Sequence, residues 1–142
     1  MCITSHYHHA VCRLVVGLFI LGGLAGCGKG MRSVEGDVTF KDGQPLKGGM
    51  VIFEPMNPQA QNISPRGDIG EDGKFQMSTF AAGDGVPEGQ YRVYLTPPLP
   101  ANPNDIGRVK FVPAKYESPE TSGLTFEVTS TKKPLRIALE RP

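Results

Sequence analysis

The side chains best suited to acid–base or metal chemistry crowd into the first residues of this chain. His6, His8 and His9 are its three histidines, and Cys2 and Cys12 are two of its three cysteines. Behind them Leu14 to Gly26 (LVVGLFILGGLAG) forms an uncharged run of 13 residues that ends at the third cysteine, Cys27. A helix that spans a bilayer needs about 20 apolar residues. A shorter run, preceded by Arg13 and followed by small residues, predicts the hydrophobic region of a secretory signal that is removed on export.

Leu24-Ala25-Gly26-Cys27 resembles the lipobox of bacterial lipoproteins. The small residues let the backbone enter a peptidase groove, and the Cys27 thiol is the group that receives a diacylglyceryl chain. The resemblance implies that a thioether forms first. Cleavage then frees Cys27 as the new amino terminus, which can take a further fatty acid such as palmitate. Each buried CH₂ contributes about 0.8 kcal/mol, so several chains together anchor stably. An Asp directly after the lipidated cysteine resembles an inner-membrane retention signal; Gly28 stands there instead, which favours the outer membrane.

Removal of residues 1–26 decides what chemistry is left. The mature chain has no histidine, and its single cysteine is committed to lipid. That excludes Ser-His-Asp and Cys-His nucleophilic machinery and a Cys/His zinc site, leaving carboxylate pairs or lysine as routes to catalysis. Without Arg13 the 15 Lys and Arg become 14 against 14 Asp and Glu, with no long run of either sign. Such a balance gives no support for a nucleic-acid partner.

Two acidic motifs lead nowhere. In Asp68-Ile69-Gly70-Glu71-Asp72-Gly73 the middle ligand of a calcium loop is missing, and Thr79 stands where a bidentate Glu belongs. The segment reads as a hairpin turn. Arg66-Gly67-Asp68 is a tripeptide frequent by chance and is assigned no role. No catalytic, cofactor-binding or metal-binding residue is named, and no cofactor is expected. Cys27 is the one functional residue, with Leu24, Ala25 and Gly26 as its recognition sequence.

The elements that carry the rest are strands. Residues 27–33 suit a short lipidated tether, and residues 34–142 one domain. Val34, Gly36, Val38 and Phe40 alternate with Glu35, Asp37 and Thr39, the period of a strand. Asp42-Gly43 supplies a turn, and MVIFE from Met50 a second strand expected to lie close to the first. RGDIG and KFQMS flank Glu71-Asp72-Gly73 as a hairpin in which Gly73 takes positive φ. Tyr91, Val93 and Leu95 alternate in the clearest strand. Pro97 to Pro103 reads as an extended loop, and Leu124–Val128 and Leu135–Leu139 as closing strands. No stretch after Cys27 keeps a helical period, so an antiparallel β-sandwich is the economical fold.

The segments VEGDVTFKDGQPLKGG (34–49), DGKF (72–75) and PEGQYRV (87–93) resemble carboxypeptidase regulatory-like, transthyretin-like domains over nearly the whole mature chain. VPAKY (112–116) and SPETSGLT (118–125) look like the lipoprotein subgroup of planctomycete-type bacteria. The resemblance implies a prealbumin-like Greek-key sandwich of seven or eight strands. It also implies an exported, non-enzymatic module of the cell envelope, with structural or binding duties toward a glycan or a protein. In it Gly36 allows close packing or a bulge, Gly43 and Gly73 turn the chain, and Tyr91 anchors a corner. The superfamily's enzymatic branch uses histidines and a terminal Tyr-Arg-Gly-Ser, whereas this chain ends Leu139-Glu140-Arg141-Pro142. Two alternatives stay open. A hydrolase or enzyme-complex accessory subunit requires paired, pKa-shifted carboxylates in a deep cleft. A small-ligand carrier of transthyretin type requires an oligomer with an apolar channel. Exposed Tyr94 or Tyr116 stacking on sugar rings, and docking of Pro97 to Pro100 in an aromatic groove, rank below core packing and loop geometry.

Overall fold

The computed structural model describes residues 30–57, 63–106 and 111–142. Its elements are β1 (Met31–Arg32), β2 (Glu35–Phe40), β3 (Met50–Pro55), β4 (Arg66–Asp68), β5 (Lys74–Gln76), β6 (Val86–Pro87), β7 (Gly89–Thr96), β8 (Leu124–Val128) and β9 (Leu135–Leu139). The described residues contain no α-helix, only 3₁₀ turns at Pro103–Asp105 and Ala114–Glu117. The fold is all-β.

Alternation along the strands builds the core. Val38 and Phe40 of β2, Phe75 of β5 and Ile137 and Leu139 of β9 face Val51 and Phe53 of β3 and Tyr91, Val93 and Leu95 of β7, all of them buried in one cluster. The first group belongs to a sheet of order β5-β2-β9, the second to a sheet of order β4-β3-β7-β8, and β1 pairs with β6 as a separate ribbon. Phe53 ties the core together laterally, its ring centroid 5.4 Å from that of Tyr91 and 5.7 Å from that of Phe126.

Four details depart from the expectations. First, the three-stranded sheet is mixed: β9 runs parallel to β2, from Gly36↔Leu135 to Phe40↔Leu139, while the four-stranded sheet is antiparallel throughout. Parallel neighbours need a long crossover, and here nearly the whole domain serves as one. Gly36 makes the pairing close, since a Cβ there would collide with the Leu135 carbonyl and reach within 2.6 Å of the Phe75 ring. Second, β2 and β3, close across the core as expected, belong to opposite sheets rather than to one. Third, the turn at Glu71-Asp72-Gly73 has Gly73 at φ +78° as expected, but its arms part into different sheets. They touch through one antiparallel bridge, Arg66↔Ser78, so the turn is a corner between the layers. Fourth, backbone pairing starts before Val34, with Met31 opposite Pro87 and Arg32 opposite Val86. Gly85 permits it, because a side chain there would strike the Arg32 carbonyl.

The strand directions give the sandwich two distinct ends. One holds β1, the starts of β2, β7 and β9 and the ends of β3 and β8. The other holds the turn after β2, the residues after β9 and the loop that leaves β7 at Thr96.

Candidate functional site

Charged side chains converge at the end opposite β1. Parallel pairing of Phe40 with Leu139 sets the two residues after β2 beside the two after β9, an arrangement fixed by a 2.9 Å hydrogen bond from Lys41 N to Leu139 O. The Glu140 carboxylate accepts from Lys41 Nζ at 3.0 Å and from Lys115 Nζ, on the second 3₁₀ turn, at 2.5 Å. Those two ammonium groups, Lys115 first, hold Glu140 down at about 2 from its ordinary 4.5. Arg141 donates from Nε to Asp42 at 2.9 Å and lies 3.9 Å above the Phe40 ring centroid. Asp42 also accepts from Gln44 N at 3.0 Å, the leading cause of its lowered pKa. Phe40 N donates to the Gln44 carbonyl at 2.8 Å, closing the Asp42-Gly43 turn with Gly43 at φ +86°.

This network can hold strand ends together; it is not set up for proton transfer. A carboxylate with a pKa near 2 stays ionised at neutral pH and makes a poor general acid. Lys115 is moved the other way, upward through its bond to Glu140, and so stays a protonated, non-nucleophilic ammonium. The same direction recurs elsewhere. Lys132 lowers Glu35, the Thr79 amide leads in lowering Asp84, the Lys74 amide leads in lowering Asp72, and the Ser118 hydroxyl leads in lowering Glu120. Every described carboxylate with a displaced pKa is displaced downward.

Two open grooves flank the corner between the layers. One, of about 530 Å³, runs past Glu35, Asp37, Asp68 and Lys74; the other, of about 540 Å³, runs past Arg66, Asp68, Gln76 and Ser78. Their carboxylates are partly engaged already, Glu35 by Lys132 at 3.1 Å and Asp37 by Arg136 at 3.9 Å. No group of three His, Cys, Asp or Glu side chains among the described residues is placed to hold a metal ion. Asp72 accepts from the Lys74 amide at 3.1 Å, the contact of a tight turn.

The aromatic candidates divide. Tyr116 is buried, covered by Lys115 Nζ at 4.9 Å from its centroid, and is no platform for a sugar ring. Tyr94 is half-buried on the outer face of the four-stranded sheet opposite Ile52, and burial, then Glu54 and Glu120, push its phenol up. Tyr91 donates its hydroxyl to the Pro87 carbonyl at 2.8 Å, forming the corner contact that its position suggested. Arg66-Gly67-Asp68 is strand β4, paired with Ile52 to Met50. Pro97 to Pro100 is irregular, followed by a 3₁₀ turn that Asn102 caps through Asn104 N at 3.0 Å. Leu24, Ala25, Gly26 and Cys27 lie outside the described residues, as do the three histidines.

One arrangement escaped the sequence reading. At the β1 end the Asp84 carboxylate accepts from the amides of Thr79, Phe80 and Ala81 at 2.7, 2.9 and 3.0 Å, and Gly85 O accepts from Thr79 Oγ1 at 2.5 Å. The Gly-rich segment is therefore a fixed loop, with Phe80 displayed at its tip and 71% exposed. An Asp four residues after an aromatic and next to a Gly was the available signal. Among the described residues no helix is long and apolar enough to cross a membrane. Comparison of the chain with protein-family models, with curated proteins and with solved structures finds no match in any of the three.

Proposed function

We propose that this chain is a lipid-anchored, non-catalytic β-sandwich module of the bacterial cell envelope, with a structural or binding role toward a glycan or an envelope protein. The observation that carries the reading is Leu24-Ala25-Gly26-Cys27 at the close of a 13-residue apolar run. Residues 1–26 are the signal and Cys27 the lipidated terminus, with the outer membrane as the favoured destination because Gly28 replaces the retention aspartate. The sandwich is read as transthyretin-like, with Greek-key connections, on the motifs at 34–49, 72–75 and 87–93.

The site chemistry supports a module without catalysis. A hydrolase of the carboxylate type needs one acid held near neutrality, whereas the displaced carboxylates here are all lowered and the grooves are open. The test is intact mass and membrane partition of the protein from its native host, beside a Cys27→Ala variant. The expected wild-type product lacks residues 1–26, carries a lipid mass on Cys27 and stays with the membrane, while the variant is released. An unlipidated soluble wild type would overturn the reading.

A further inference from the structure

We propose that the loop tip Phe80-Ala81-Ala82-Gly83 is a second membrane contact, seated in the headgroup region of the bilayer that holds Cys27. The inference rests on the lipid-anchor reading above and adds to it an orientation for the domain.

The length of the tether carries the argument. Four chain steps separate Cys27 from Met31, and a fully extended chain covers at most about 14 Å in that span, whatever path residues 28–30 take. Met31 is already paired with Pro87 in the β1–β6 ribbon. An acyl-bearing Cys27 therefore holds the β1 end of the sandwich within that distance of the lipid and leaves the Lys41–Glu140–Lys115 end pointing away.

The base of the Phe80 loop belongs to that same end, and its tip reaches out beside the groove along β4. Gly85 lies against the Arg32 carbonyl of β1, Thr79 Oγ1 donates to Gly85 O, and Met77 N donates to Val34 O at 2.9 Å. From Phe80 to Gly83 the tip is exposed and uncharged. Its one adjacent charge, Asp84, is turned inward to accept three amides. Single exposed apolar side chains are ordinary on soluble proteins. This one differs in being fixed by a carboxylate cap beside a short lipid tether, so little conformational entropy is lost when it meets the interface. Lys133, on the connection between β8 and β9, stands at the same end. Of the acids there, Glu35 is paired with Lys132 and Glu88 with Arg32. Glu127 is exposed on β8. Lipid-anchored proteins commonly combine two weak membrane signals, and a displayed aromatic ring suits the second.

The chain has no tryptophan, which makes the test direct. Lipidated full-length Phe80→Trp and, as the opposite-end control, Leu99→Trp would be reconstituted on phosphatidylethanolamine–phosphatidylglycerol vesicles with a brominated-lipid fraction. Flotation and intact mass would be recorded on the same samples. The expected result is a blue-shifted indole emission from F80W that is lost to brominated lipid, with the emission of L99W unshifted and unquenched. If both variants float with lipid on Cys27 and F80W emits as L99W does, the orientation proposal is overturned and the anchor reading stands. If neither floats and the mass lacks lipid, the anchor reading fails and this inference falls with it.

Discussion

At the scale of single residues, the side chains with most to do are those that satisfy backbone groups. Removing the hydroxyl in Tyr91→Phe leaves the Pro87 carbonyl without its donor. The expected cost is about 1 kcal/mol in urea unfolding with an unchanged denaturant slope. Asp84 supports prediction of a local kind. Its folded pKa lies below the ordinary 3.8, led by the Thr79 amide, so its contribution is full above that value and is lost as pH falls through the lower folded one. Asp84→Asn is therefore expected to speed amide exchange at Thr79, Phe80 and Ala81 at neutral pH, and the difference from wild type should shrink in acid. Unaltered exchange at those amides would show that the loop holds without its cap. Little of this was legible beforehand. Tyr91 could be placed by alternation and by the turn before it, whereas Asp84 acts across a loop whose closure depends on where β1 lies.

At the scale of elements, alternation, β-rich composition and turn signals together identified seven strand segments, and the tertiary context had only to choose their neighbours. What alternation cannot report is direction or sheet membership. Val38 and Ile137 point into the same core whether their strands run parallel or antiparallel, so the β2–β9 pairing was hidden. The corner at Gly73 was hidden for the same reason, since a tight turn looks alike whether its arms stay in one sheet or part. Close pairing of β2 and β9 at Gly36 gives the test. Gly36→Ala puts a methyl against the Leu135 carbonyl and the Phe75 ring, and overpacking of this kind costs about 1–3 kcal/mol. Chemical denaturation should register it, and amide protection should fall in β2 and β9 before β3 and β7. A neutral substitution would mean that the two strands separate more easily than their register suggests.

At the scale of the molecule, the sandwich has two unlike ends, with the β1–β6 ribbon at one and the Glu140 network at the other. That network contributes to how the domain responds to acid. Glu140 falls from 4.5 to about 2 on folding, so its stabilisation is complete above 4.5 and is lost as pH drops from there toward 2. Glu140→Gln should unfold at lower urea concentration than wild type at pH 6, and the gap should close over that window. A gap that persists at pH 2 would assign the effect to packing. The proposed anchor was the most legible candidate function, because its chemistry is written in consecutive residues and needs no fold. A partner surface was not legible, since it would be assembled from side chains distant in sequence. The parallel seating of β9 against β2 also bears on timing. Until Leu135 to Leu139 is available, β2 lacks its neighbour on one side, and contacts this far apart in sequence close slowly. A chain made from its amino end therefore cannot complete the β5-β2-β9 sheet until Leu135 to Leu139 has been synthesised.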